Sequence, residues 1–140
     1  MESVLADAEL YTFTGGEAPT RNQLAARYAA QISGPSNPDE TWHNWIIRLI
    51  ESDVAVGFVQ ATIVGAQSDV AWVVGLAAQR RGIAREAAQC MCDWLRSTGI
   101  SRLTAHIHPD HVASARVGAA CQLVPTGNLD DYGEMVWAWP

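Results

Sequence analysis

Six consecutive residues, Gln79-Arg80-Arg81-Gly82-Ile83-Ala84, separate an apolar run from a stretch with helical periodicity. Val70 to Val74 reads as a short buried strand, rich in β-formers and bounded by polar residues. From Ile83 the apolar residues recur at Ala87, Met91, Trp94 and Leu95, the spacing of one helix face. Gly99 stands where a left-handed C-terminal cap belongs. Gly82 and Ala84 are small enough to let another molecule approach the backbone. The unpaired N–H groups of a helix's first turn favour anions, and Arg81 and Arg85 add positive charge beside them. That combination fits a diphosphate. Small residues at a strand-to-helix turn also serve tight packing, so the motif alone leaves both readings open.

A second constellation is His106-Ile107-His108-Pro109-Asp110-His111, which spells the HxHxDH zinc pattern of metallo-β-lactamase-like hydrolases. His106 and His108 share a strand face, which permits chelation. That chemistry needs further histidines downstream, and none follows His111. No metal is expected, and His106 is given a packing role. The tryptophans, Trp42, Trp45, Trp72, Trp94, Trp137 and Trp139, are mostly core by spacing.

The elements that must position these residues follow from patterning. Pro19 to Gln31 predicts a helix capped by Thr20, with Leu24, Ala25, Tyr28 and Ile32 on one side. Residues 33–39 form a loop dense in turn formers. Trp42–Ile50 and Val54–Val64 predict an antiparallel hairpin, followed by the strand at Val70–Val74. After the Ile83 helix come a strand at Arg102–Ile107, a short helix at Ala113–Cys121, and a hairpin of Leu123–Asn128 with Glu134–Trp139. The order is that of a mixed α/β domain. At 140 residues one domain, 1–140, is expected.

Composition narrows the function. A net charge of −6 argues against a nucleic-acid surface, and no apolar run is long enough for a membrane span. The N-terminus lacks the features of a secretion signal. Cys90, Cys92 and Cys121 are odd in number, and the first two point in different directions on a helix. A cytoplasmic setting without a disulfide framework is expected. All nine basic residues are arginine, so the positive charge is permanent.

In order and motifs the chain resembles the GNAT superfamily of N-acetyltransferases, and within it the branch of the ribosomal-protein N-terminal acetyltransferases. Gln79 to Ala84 matches the family's pyrophosphate loop, Q/R-x-x-G-x-G/A. Ile107 to Val117 resembles its second motif, a strand followed by N-x-x-S/A and a helix, with His111 in place of the Asn. The resemblance runs from about Trp42 to Trp139. It implies a central, mostly antiparallel sheet with splayed middle strands, flanking helices and acetyl-CoA as co-substrate. Val74 and Leu76 would pair through their main chains with the pantetheine arm. Gln79, Arg81, Gly82, Ile83, Ala84 and Arg85 would surround the pyrophosphate, and Ser114, with His111 nearby, would face the sulfur.

The chain departs from the family in three ways. It lacks the usual first strand, which leaves the Trp45–Ile50 edge without its neighbour and makes pairing into a homodimer plausible on physical grounds. Gly118 stands where many relatives place an acidic tyrosine. Gln122 replaces a glycine before the final hairpin.

The resemblance implies transfer of an acetyl group to a primary amine, a protein N-terminus or a small molecule, by direct attack in a ternary complex. The amine must lose a proton. Candidate bases are Asp69, where relatives often carry Glu, and His108, at the end of the neighbouring strand, with His43 a weaker third. Ser114 is the candidate to protonate or hydrogen-bond the sulfur; a hydroxyl at a helix start that bonds the backbone is its other reading. Asp69 has a second reading too, as a solvated turn residue. A non-catalytic acyl-CoA-binding module is the alternative function, and the acceptor is not specified by the sequence.

Overall fold

A computed structural model describes residues 1–140. Six strands form one sheet: β1 (Glu40–Arg48), β2 (Ala55–Val64), β3 (Gln67–Val74), β4 (Arg102–Ile107), β5 (Val124–Leu129) and β6 (Met135–Ala138), in the order β1-β2-β3-β4-β6-β5. Every neighbouring pair is antiparallel except β3 and β4. These two run parallel and pair only over Gln67–Asp69 against Arg102–Thr104. Beyond Asp69 they part, which is the expected splay. β1 lies at an edge, so its outer backbone groups have no strand partner.

Four helices, α1 (Glu2–Leu5), α2 (Arg21–Ser33), α3 (Ile83–Ser97) and α4 (Val112–Ala120), divide between the two faces. Strand residues alternate sides. Val59, Ala61, Val70, Leu103, Ala105 and Ile107 point towards α3 and α4. There they join Ala88, Met91, Cys92, Leu95, Cys121 and Leu123 in the main core. A smaller cluster of Val56, Val74 and Ala78 packs with Ile83 and Ala84, anchoring the loop before α3. On the opposite face α2 lies over β1 and β2, where Gln31 Nε2 donates to Asn44 Oδ1 (3.1 Å) and the Arg27 guanidinium stacks on Phe58. No helix is long and apolar enough to cross a membrane.

Thr20 caps α2 in a full capping box with Gln23, and Gly99 adopts the expected left-handed conformation after α3. Most of the tryptophans do pack on the core: Trp45, Trp72, Trp137 and Trp139 lie half-buried against it, while Trp94 is 40% exposed. Several keep the indole N–H on a partner, as Trp139 does with the Cys121 carbonyl. The expectations for α2 and β1 need correction. The side of α2 turned to the sheet carries Leu24 and Tyr28, whereas Ile32 is 87% exposed. Strand β1 begins at Glu40 and ends at Arg48, where a register shift after Ile47 breaks the ladder before Ile50. All three cysteines are free thiols, Cys90 exposed and Cys92 and Cys121 buried.

Candidate active site

The loop entering α3 carries two left-handed residues, Arg80 (φ 60°) and Gly82 (φ 79°). Gly82 is the N-cap residue and supplies no capping side chain, so the amides of Ile83, Ala84 and Arg85 have no intrahelical acceptor. A Cβ at Gly82 would meet nothing within 4 Å, which leaves open space above those amides. Arg81 and Arg85 are exposed and form no ion pair. Free N–H groups, the positive end of the helix dipole and two unpaired guanidinium groups form a cradle for an anion. A diphosphate fits it.

Gln79 departs from its expected place. Its Nε2 folds back to donate to the Val74 carbonyl (3.0 Å), so this side chain props the strand end instead of lining the cradle. Leu76 opens a 3-10 turn (Leu76–Ala78), and its carbonyl accepts from the Gln79 N–H (3.1 Å). Each of these carbonyls keeps a second lone pair, so main-chain pairing through Val74 and Leu76 stays open. The Val74 amide faces the splay: Gly75 N–H bonds Val56 of β2, and alternation turns the preceding residue the other way. A fixed N–H beside a widening gap is suited to a developing oxyanion.

Ser114 lies in the first turn of α4. Its Oγ bonds no backbone group. Instead it accepts from the indole Nε1–H of Trp72 across the gap (3.1 Å). Gly118, in the expected place of a tyrosine, lets α4 close on β4: a Cβ there would meet Ile107 Cδ1 at 3.1 Å.

The other side of the sheet carries the titratable groups. Asp69, the last paired residue of β3, accepts from the Thr104 hydroxyl. His106 follows Thr104 on the same face of β4. Its Nδ1 lies 2.7 Å from Asp130 Oδ2, and its Nε2 lies 3.9 Å from Asp69 Oδ1. The Glu134 amide foremost, then His106 and the Tyr132 amide, hold the Asp130 carboxyl below the usual carboxylate range against an opposing effect of burial. An ionised Asp130 can only accept, so in a neutral imidazole the Nδ1 carries the proton and the Nε2 lone pair turns towards Asp69. His106 is therefore not a packing residue. A polar cleft of about 190 Å³, lined by Thr62, Gln67, Ser68, Asp69, Arg102 and Thr104, adjoins this cluster.

His108 and His111 are drawn elsewhere. The His108 Nδ1 accepts from the Asp110 amide (3.2 Å), and both rings pack on Phe13, the His111 ring stacked at 4.4 Å. Burial, with His108 as a lesser cause, pushes the His111 pKa below its ordinary value. His106 is thus held by Asp130 beside Asp69, whereas His108 and His111 share Phe13, so the three imidazoles of the HxHxDH run do not meet at one point. His43, on β1, stacks on Trp45 and meets Trp94 of α3 edge-on; β2 and β3 separate β1 from the splay. Nothing in the local sequence singles out Asp130 or Phe13, because each reaches the site through tertiary contact alone.

A parallel strand pair thus splays beside an uncapped helix start, with a hydroxyl on one face and a carboxylate–imidazole cluster on the other. The family model for the acetyltransferase (GNAT) domain matches residues 1–124. The chain belongs to the GNAT acetyltransferase family. No curated protein matches it in sequence. Among solved structures it resembles a GNAT-family acetyltransferase from Bacillus anthracis, with 17% identity, TM-score 0.79, and coverage of 99% of this chain and 85% of that one. Spermidine N-acetyltransferase from Vibrio cholerae, in complex with CoA and spermine, is 12% identical, with TM-score 0.75 and coverage of 98% and 84%. The aminoglycoside acetyltransferase AAC(6')-Ib, with coenzyme A and kanamycin, is 11% identical, with TM-score 0.76 and coverage of 98% and 84%, and has also been solved with acetyl-CoA.

Proposed function

We propose that the protein transfers the acetyl group of acetyl-CoA to a primary amine by direct attack within a ternary complex. The observation that carries this reading is the splay of β3 from β4 beyond Asp69, with an anion cradle on one side and proton-accepting groups on the other. Arg81, Gly82, Ile83, Ala84 and Arg85 hold the pyrophosphate, and the Val74 carbonyl and the Leu76 N–H hold the arm, which leaves the Val74 N–H for the oxyanion. The amine enters from the face of Asp69 and His106. A nitrogen set to one side of the line between His106 Nε2 and Asp69 Oδ1 could bond both, and gives up its proton there. As the carbon–nitrogen bond forms, the Val74 amide receives the oxyanion. The carbon–sulfur bond then breaks, and the Ser114 hydroxyl hydrogen-bonds the departing thiolate, which takes its proton from solvent. A free thiol has a pKa of about 8.5, so this last help speeds departure without being obligatory.

His108 enters the reading as a wall of the site beside Phe13 and His111, with Asp69 and His106 as the proton acceptors. The spermine and kanamycin complexes of structural neighbours support a small-molecule amine as the acceptor, and a protein N-terminus is the other amine to test. The free thiols support a cytoplasmic setting, and the bare edge of β1 supports a homodimer.

The test joins acetyl-CoA titration by calorimetry to thiol release across polyamines, aminoglycosides and peptide N-termini. Cofactor binding with turnover of one amine class is expected. Absence of binding at near-millimolar cofactor overturns the reading. Tight binding with no acceptor turned over establishes instead a non-catalytic acyl-CoA-binding module.

A further inference from the structure

Trp72 lies on the helix-facing side of β3, three residues past the last pairing with β4. Its indole crosses the opened gap and bonds Ser114 Oγ, joining the strand that carries the proposed oxyanion donor to the helix that carries the proposed hydrogen-bond donor to the thiolate. An indole N–H can only donate, whereas a serine hydroxyl has one proton and two lone pairs. A serine in the first turn of a helix usually rotates its hydroxyl onto nearby backbone, and Ser114 does not. With one lone pair occupied by Trp72, the oxygen is held on the gap side of α4 and its proton has no protein acceptor.

We propose that Trp72 is a positioning residue for the departure of the thiolate: its indole N–H fixes the Ser114 rotamer and directs the hydroxyl proton into the gap. Donation into the serine oxygen also makes its O–H a stronger donor, since hydrogen bonds in a chain polarise one another. The proposal rests on the reading of Ser114 as the group that serves the sulfur. It adds a residue that touches neither amine nor pyrophosphate in that reading.

The test is a double-mutant cycle on kcat and on KM for acetyl-CoA. Trp72→Phe removes the N–H and keeps an aromatic ring, and Ser114→Ala removes the hydroxyl. One hydrogen bond of this kind corresponds to about threefold to tenfold in rate. Trp72→Phe is expected to lower kcat by about that factor, with KM for acetyl-CoA moving less than about twofold. In the Ser114→Ala background the same change should have no further effect, because the group through which Trp72 acts is gone. If Ser114→Ala keeps full kcat, the reading of Ser114 itself fails. If Ser114→Ala slows the enzyme while Trp72→Phe does not, or if the two losses multiply, Ser114 stands and the role of Trp72 is overturned. A second measurement does not need the tryptophan variant to fold: in ¹⁵N-labelled protein, Ser114→Ala should move one indole N–H resonance upfield and speed its exchange with solvent. Unchanged indole resonances overturn the proposal.

Discussion

Replacing Gly57 by alanine should damage the reaction more than it damages the fold. Gly57 sits in β2 opposite Val74. A Cβ there would lie 2.2 Å from the Val73 carbonyl oxygen and 3.0 Å from Val74 Cα, and both obstacles are backbone, so no side-chain rotation relieves them. Restoring ordinary contact requires a retreat of about 1 Å. The strand that yields is β3, because β2 is braced by β1 on its far side whereas β3 has lost β4 beyond Asp69. Overpacking of this size costs about 1–3 kcal/mol. With a urea dependence of about 2 kcal/mol per molar, the unfolding midpoint falls by about 1 M. The same retreat carries the Val74 amide about 1 Å towards the gap, and a displacement of that size in a catalytic donor can lower the rate about a hundredfold. Urea unfolding followed by fluorescence and steady-state thiol release read the two effects separately. CoA affinity, governed by the start of α3, should change little. A variant that loses the midpoint but keeps kcat would show that the Val74 amide is not the oxyanion donor.

Three further outcomes follow from the site. His106→Gln and Asp130→Asn should each lower kcat at least about tenfold, the low end for general-base removal because Asp69 remains, with KM for acetyl-CoA unchanged; full activity in either variant removes the imidazole from the proton path. Asp130→Asn acts because a carboxamide can keep the two backbone donors yet need not accept from Nδ1. Arg81→Ala and Arg85→Ala should each weaken CoA about threefold to tenfold and leave the binding of acetyl-pantetheine, which has no pyrophosphate, unchanged; equal losses for both ligands place the arginines elsewhere. His111, held below its ordinary pKa by burial, stays neutral in the folded protein after the unfolded chain has begun to bind a proton at about pH 6.5. Stability it contributes above that pH is lost as pH falls through it towards the lower folded value. His111→Gln should therefore flatten the decline in urea midpoint below pH 6.5, and an identical decline in both proteins refutes the assignment.

What was legible in the sequence is what local chemistry dictates. The boundaries of β4, the cap at Thr20, the left-handed Gly99 and the strand–turn–helix around Gly82 follow from side-chain periodicity and backbone permissiveness, both confined to a few neighbouring residues. The family likeness rests on those same short stretches. The proton-accepting cluster was only half legible. Asp69 is visible as a carboxylate before the strand expected from Val70; that β3 begins at Gln67 and pairs in parallel so that Thr104 and His106 lie beside Asp69 is a matter of tertiary register. Asp130 is folded back to β4 by a turn that its own side chain stabilises, accepting from the Tyr132 and Glu134 amides. With no downstream histidines to complete the zinc pattern, the sequence leaves His106 a packing role; the period of two in β4 instead puts it on the face opposite buried Ala105 and Ile107.

The same period of two explains how a thin sheet can serve two reactants. On β3, Val70, Trp72 and Val74 turn to the helices while Asp69 turns away; on β4, Leu103, Ala105 and Ile107 turn to the helices while Thr104 and His106 turn away. A slip of one residue in the β3–β4 register would break this assignment, moving Trp72 off Ser114 or His106 off Asp69. Three paired residues fix that register and then the strands part. The pairing is long enough to align the two sides and short enough to leave a passage between them. In the proposed reaction, donor chemistry and proton acceptance therefore stay on opposite faces, and the thioester carbon would lie where the strands part.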